Sequence, residues 1–565
     1  MNLDAFLFLQ RSDIAHYAAS RPSFGNIPHI FIDPGLTEEA VKAGIDPTNF
    51  SYRPLKVGTH FQAGIAAEAK ARATLLDRGL TALRRRIFGH GVFQGWDEGQ
   101  LWLFLQRALV ARDLGELCDT QISERRVGLF RPSVAQRYYF DSCLTTDLFA
   151  GGSERWRIVD HYDSIQVEVP EDSLFCYDFD QIEMMVQHGQ HQAITHIPTC
   201  YAHHEHFAQA ITSRFQHNID LPSPMWDIPV RRSGSMVVRV DQLSSHHLPA
   251  SAYAYRDEAR RLIEHQLSPL VPGRAALQKQ AEVMAERCFV QAVNYHGLLK
   301  ALRGTKPHFV LTDHDTGSNG PLFTVAAALE SPISVLPHAS YPAFPLPHAL
   351  RVRAIERNGF GTHTRTVLGE AVPTAGVNLG HPPKNIDRPG VRTICLLVNT
   401  LYSQGLSHID LAGLTQFHKA LAQTCQQSGV RLLVRLKPNG AGLMMASSAL
   451  NVPMETLQHV LRAPLDHIAE ESDLCINYGE PTTGGIEFLC ASSYLICASE
   501  QHWPTDHWIA PAFVHDGVVP CFDGARALAE VNAMIRSPAE FRARVQTQQE
   551  QFKARSGEAQ PLLTP

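Results

Sequence analysis

The eleven cysteines are odd in number, scattered, and include no CxxC pair. That excludes a disulfide-stapled secreted scaffold and a structural zinc fold as the organising principle. Cys395, Cys475 and Cys497 sit inside apolar runs and read as small buried hydrophobes of a reducing compartment. No apolar run approaches the ~20 residues that a membrane span needs. The first such run, residues 5–9, lacks a basic flank and a small-residue cleavage site, so it is expected to be a buried strand and not a signal peptide. Charge is also scarce. Charged residues make up 19% of the chain, and 50 Lys plus Arg against 56 Asp plus Glu leave a net charge of −6. A globally basic nucleic-acid binder is therefore excluded. No fixed-period repeat is present, which excludes solenoids and propellers. The expected class is a soluble cytoplasmic globule.

What the sequence does have is length and alternation. Its 565 residues, 44% hydrophobic, suffice for several domain-sized cores. Strand patterns are expected at 5–9, 29–32, 127–130, 156–159, 193–197, 308–311 and 333–336, then at 393–398, 430–436, 474–477 and 493–496. Helical patterns fall at 98–116, 250–303, 321–328, 411–427, 453–461 and 484–491, with a polar helical stretch over 525–553. Alternation of this density predicts an α/β fold with parallel sheets. The low charge fraction agrees, because such strands are covered on both faces. Residues 370–392 are rich in Pro and Gly and read as a linker. The expected organisation is two Rossmann-like lobes with an interlobe cleft. Residues 1–375 form an acceptor-side lobe with helical insertions, residues 390–540 a nucleotide-binding lobe, and residues 541–565 a polar C-terminal tail.

Parallel sheets bind ligands beyond the carboxyl ends of their strands, and four polar loops are expected there. In Asp313-His314-Asp315-Thr316-Gly317-Ser318-Asn319-Gly320, two carboxylates at i and i+2 can face one side. Either suits a general base or a nucleophile, beside backbone amides that favour an anion. His338, after the strand at 333–336, suits phosphate donation or proton transfer. Arg435 and Lys437 alternate out of a strand into Pro438-Asn439-Gly440, a pattern fit for phosphate. Tyr478-Gly479-Glu480-Pro481-Thr482-Thr483-Gly484-Gly485-Ile486-Glu487 reads as an anion cradle at a helix start, with Glu487 one turn inside, in reach of a ribose hydroxyl pair.

These segments resemble the GT-B glycosyltransferases of bacterial surface-polysaccharide assembly. The resemblance rests on Arg435-x-Lys437-Pro438, on Asp473 before a strand, and on Thr482-Thr483-Gly484-Gly485-Ile486-Glu487-Phe488-Leu489. It rests also on the strand, Asp-loop, helix, strand and His order of 308–341. Thr482, Phe488 and Ala339 depart from the usual residues, and no Arg follows the Asp loop. The layout is similar to that of the Kdo transferases of capsule and lipopolysaccharide, which use CMP-linked donors. The resemblance covers residues 308–540. It implies transfer of a sugar from a nucleotide-linked donor to a surface glycan or glycolipid. Asp313, Asp315, His314 and His338 would be catalytic. Arg435, Lys437, Asn439, Tyr478, Gly479, Glu480, Thr482, Thr483, Gly484 and Glu487 would bind the donor. No metal and no tightly bound cofactor are implied, since cations and helix ends neutralise the leaving phosphate. The implied partners are the nucleotide sugar and a glycan or lipid-linked glycan, not nucleic acid. A lipid-linked acceptor would bring peripheral association with the inner membrane.

Two other readings share this architecture: a sugar-nucleotide epimerase and a non-catalytic nucleotide-sugar-binding protein. The 29 histidines include a dense stretch, His188, His191, His196, His203, His204 and His206. It lacks HExxH, and the three imidazoles of His203-His204-Glu205-His206 are too closely spaced to converge from one helix, so surface or structural roles are expected.

Overall fold

The computed structural model describes residues 3–9, 11–20, 27–31, 34–52, 59–88, scattered positions within 101–121, 122–132, 154–162, 178–188, 192–196, 215, 217–221, 235–237, 251–270, 274–312, 319–336, 352–356, 374–378, 384–398, 411–436, 443–479, 484–499 and 517–556. Three sheets result, each parallel throughout.

The first contains β1 (Ala5–Phe8), β2 (His29–Phe31), β3 (Phe50–Tyr52), β4 (Val127–Pro132) and β5 (Trp156–Tyr162), in the order β3-β2-β1-β4-β5. Helices α1 (Arg11–Ser20), α2 (Pro34–Lys42) and α3 (Thr59–Phe88) accompany it. The second contains β6 (Gln192–His196), β7 (His217–Asp220), β8 (Ser235–Val237), β9 (His308–Thr312), β10 (Ile333–Leu336), β11 (Val352–Glu356) and β12 (Thr374–Asn378). Their order is β12-β11-β10-β9-β6-β7-β8. Its helices are α4 (Phe179–His188), α5 (Ser251–Leu267), α6 (Arg274–Ala301) and α7 (Asn319–Ala328). The third contains β13 (Thr393–Val398), β14 (Arg431–Leu436), β15 (Leu474–Tyr478), β16 (Tyr494–Ser499) and β17 (Cys521–Asp523), in the order β14-β13-β15-β16-β17. With it go α8 (Leu411–Ser428), α9 (Leu443–Leu450), α10 (Met454–Arg462), α11 (Leu465–Glu471), α12 (Gly485–Cys490), α13 (Gly524–Arg536) and α14 (Pro538–Ser556).

The fold is α/β, and its cores divide it into two lobes. The period of two sends Ala5 and Leu7 of β1 into one cluster and Phe6 and Phe8 into another. The first of these clusters runs on through α3, α5 and α6 to Phe309, Leu311 and Ile333 of the second sheet. The first two sheets therefore share one apolar core. The helix α6 is its axis. Residues 288–295 are buried without interruption, so α6 is enclosed on all sides over those two turns and shows no amphipathic stripe there. Gly297 admits the Phe179 ring of α4 so closely that a Cβ there would lie 2.3 Å from it. The third sheet keeps separate clusters on its own two faces.

Three expectations change in detail. The helical region at 250–303 is two helices, α5 and α6, and the chain between them carries Pro272-Gly273. The expected linker contains β12, an edge strand of the second sheet. The expected polar tail is, as far as Ser556, the packed helix α14. Phe541 and Phe552 are buried there, and the Gln548 carboxamide accepts from Leu495 N at 2.8 Å and donates to Leu495 O at 2.8 Å.

His29 gives part of the histidine excess a place. It is 3% exposed, between Phe8 (5.5 Å, stacked) and Tyr17 (4.8 Å, edge-on), and neither ring nitrogen has a hydrogen-bond partner among the described residues. Burial pulls its pKa from 6.5 down to about 4. The unfolded chain takes up this proton near pH 6.5 and the folded chain does not until near pH 4. The residue's full contribution is thus present above pH 6.5 and is lost as pH falls toward 4, about 2 kcal/mol of it by pH 5. His29→Phe is expected to remove that part of the stability difference between pH 7 and pH 5 in denaturant unfolding. An unchanged difference would show that the ring is already hydrated.

Candidate functional site

In a doubly wound sheet, the strands on either side of a switch point feed connections that diverge to opposite faces, which opens a crevice at their carboxyl ends. The three strand orders place these points between β1 and β4, between β6 and β9, and between β13 and β15.

At the second of them, His196 of β6 lies in register with Leu311 of β9, and Thr312 lies beside Leu336 of β10. The chain leaving β9 enters Asp313-His314-Asp315, the chain leaving β10 enters Pro337-His338, and the chain leaving β6 enters the His-rich stretch. The carboxyl ends of β6, β9 and β10 are thus neighbours in one sheet. Asp313, His314, Asp315 and His338 themselves lie outside the described residues. The sequence motifs gave no sign that the histidine stretch and the aspartate loop leave adjacent strands, because β6 and β9 are separated by more than a hundred residues.

At the third point, Val398 pairs with Tyr478 at the carboxyl ends of β13 and β15. Gly479 follows with φ +85°, a left-handed turn for which glycine lacks the Cβ penalty, and its N–H donates to Ala498 O at 2.8 Å. Gly484 stands at the start of α12 in helical backbone and makes no side-chain cap. Gly485 tucks its Cα against Leu495, where a Cβ would meet Cδ2 at 3.0 Å. Glu487, in the first turn of α12, is half-buried, and its charge helps to raise the pKa of Lys384, after the larger effect of the Lys384–Glu470 hydrogen bond. Gly479 and Gly484 therefore stand at this rim, whereas Lys384, the charge that Glu487 acts on, pairs with Glu470 and donates from its N–H to Cys490 O at the far end of α12. Glu480, Thr482, Thr483, Lys437 and Asn439 lie outside the described residues. The chain leaves β13 at Val398, at the same switch point, and residues 399–410, which follow, lie outside the described residues. Sequence motifs did not single this connection out, and only the strand order identifies it.

Two donor-site expectations are corrected. Tyr478 is not at the rim. Its ring is 2% exposed and packs on Phe417 of α8 at 5.0 Å, because position 478 shares with Leu474 and Ile476 the face of β15 that α8 covers. Arg435 is also turned inward. It is 7% exposed, shares its strand face with Leu433, and donates from Nη1 to Val460 O and to Ala463 O (2.8 Å), closing the C-terminal end of α10. Burial lowers its pKa, and its hydrogen bonds are to helix carbonyls, not to a free rim. Arg435→Ala is expected to cost about 2–3 kcal/mol in denaturant unfolding, since two buried carbonyls lose a charged donor. Nucleotide affinity, read by titration at a temperature where the variant is folded, should stay within about twofold of the parent, a change of under ~0.5 kcal/mol. A large affinity loss without destabilisation would restore the phosphate role.

Asp473 lies at the opposite, amino end of the sheet. Its Oδ2 accepts from Arg392 N (2.8 Å) and Thr393 N (2.9 Å), and its Oδ1 is 3.4 Å from Arg388 Nη1. Among the described residues, no group of three or more His, Cys, Asp or Glu side chains is placed to hold a metal ion, and no helix is long and apolar enough to cross a membrane.

No protein-family model matches the chain, and no curated protein matches it. Eleven solved chains do. One is MurG of Acinetobacter baumannii, 12% identical with a TM-score of 0.34, covering 64% of this chain and 95% of that one. Another is SsfS6, a glycosyltransferase of Streptomyces sp. SF2575, at 13% and 0.26, covering 64% and 96%. A third is the pneumococcal O-GlcNAc transferase GtfA in complex with UDP and GlcNAc, at 13% and 0.27, covering 48% and 56%. Likeness at this level carries no inference about activity, and the fold assignment stands on the strand orders and cores of this chain.

Proposed function

We propose that the protein is a glycosyltransferase that moves a sugar from a nucleotide-linked donor to a glycan or glycolipid acceptor. The donor would sit on the third sheet and the reacting carboxylates on the second. The observation that carries this reading is the order β14-β13-β15-β16-β17, which leaves Gly479, just after β15, beside a switch point, where open α/β sheets take nucleotides. Glu480, Thr482, Thr483 and the amides at the start of α12 would cradle the diphosphate or monophosphate, and Glu487 would reach the ribose. Lys437 and Asn439, which follow β14 on the far side of β13, would complete the anion site without Arg435. Asp313 or Asp315, with His314 and His338, would serve as base or nucleophile and proton carrier. The sequence resemblance favours a CMP-linked, Kdo-like donor and a surface-glycan acceptor met at the inner membrane face. The donor enters as a substrate, and the reading needs no tightly bound cofactor.

A thermal-shift panel of CMP, UDP, GDP and ADP at equal concentration tests the donor assignment. One nucleotide present at 100 times its Kd is expected to stabilise the fold by about 2.7 kcal/mol. The rise should survive Tyr478→Phe and should fall on Glu487→Gln. No shift with any of the four would sink the reading.

A further inference from the structure

The first sheet has no assigned task. Its helix α2 packs against α9, which follows β14 in the third sheet. There Glu38 reaches across 405 positions of sequence, and its Oε2 accepts from Leu443 N at 2.8 Å. Its Oε1 is 3.4 Å from Lys42 Nζ one turn along α2. Leu443 is the first residue of α9, and the first amides of a helix have no acceptor of their own. A carboxylate there satisfies an orphan donor and meets the positive end of the helix. A cap supplied by another lobe is a mechanical link, because separating the lobes removes it.

We infer that Glu38 is a positioning residue that latches the first sheet onto the third through the N-terminus of α9. The connection immediately before α9 is the one that carries Lys437 and Asn439, so the first sheet controls the far boundary of that connection. The latch is independent of the identity of any ligand.

Hydrogen–deuterium exchange on the full chain tests it, with Glu38→Ala, Glu38→Gln and, as a control one residue along, Glu39→Ala. Glu38→Ala is expected to speed exchange of the 443–446 amides about fivefold, the loss typical of a missing N-cap. Glu38→Gln keeps an acceptor oxygen without the charge and should give an increase between wild type and Ala. Glu39→Ala should leave these amides unchanged. The strands at 394–398 and 474–478 should keep their protection in all three. The inference is overturned if exchange at 443–446 stays within twofold of wild type in Glu38→Ala. It is equally overturned if the increase appears only together with an equal increase at 394–398, which would signal general loosening.

Discussion

Asp473→Ala is expected to destabilise the C-terminal lobe by roughly 4 kcal/mol, the range seen when one partner of a buried ion pair is removed. The carboxylate is 4% exposed and Arg388 is 5% exposed. Arg388 Nη2 also donates to Ala469 O (3.2 Å) and Ala491 O (2.9 Å), so one guanidinium and one carboxylate tie the ends of α11 and α12 to the start of β13. Truncating the aspartate leaves a buried cation and two backbone amides without their acceptor. Burial already depresses the Arg388 pKa, and the Asp473 charge opposes that effect. Arg388→Ala should cost a similar amount, and the double variant clearly less than the sum, since the two losses share one interaction. Denaturant unfolding followed through the third sheet measures all three. A cost under about 1 kcal/mol for either single change would show that water reaches the pair.

The second large effect concerns turnover. On the proposed reading, Asp313→Asn or Asp315→Asn lowers transfer by about two to four orders of magnitude, the worth of a positioned acid–base group or nucleophile. Nucleotide affinity should not change, because the donor lies on the other lobe. Steady-state transfer with the nucleotide sugar that the thermal-shift panel selects, alongside direct titration, separates the two. If both Asn variants keep full transfer, the carboxylates have been misassigned. If transfer and affinity fall together, the donor has been placed on the wrong sheet.

Much of this fold could be read from residue order because the central strands are short apolar runs closed by turns. Residues 393–398, 474–477 and 308–311 behave in that way, and each became a core strand. The strands that escaped notice lie at or next to sheet edges: β3, β8, β12 and β17, with β7 and β11 beside two of them. They have three to five residues and carry polar side chains such as His217, Asn218 and Arg353, so no hydrophobic period marks them. The separate first sheet was missed for a related reason. Its strands are split by α3 and by the long connection before β4, and only pairing reveals β1 beside β4. The donor site was half legible. Glycines in a turn can be recognised by composition, and Gly479 and Gly484 stand at a strand end and a helix start as expected. Arg435 and Tyr478 failed because they point to opposite faces of a sheet that is covered on both, so neither face leads to an open rim. Glu38 had no local signal at all, since its partner is 405 positions away.

The shared core has a temporal consequence. Sheet one is complete at Tyr162, yet α5 and α6, which belong to the same apolar core, arrive only at 251–301. At roughly 5–20 residues per second, a ribosome needs on the order of ten seconds to bridge that gap. During it, Ala5, Leu7, Val127 and Leu129 lack part of the cluster they belong to. The nascent amino-terminal strands are therefore a natural client for a holding chaperone, whereas the third sheet, self-sufficient in its packing, can mature as soon as it emerges.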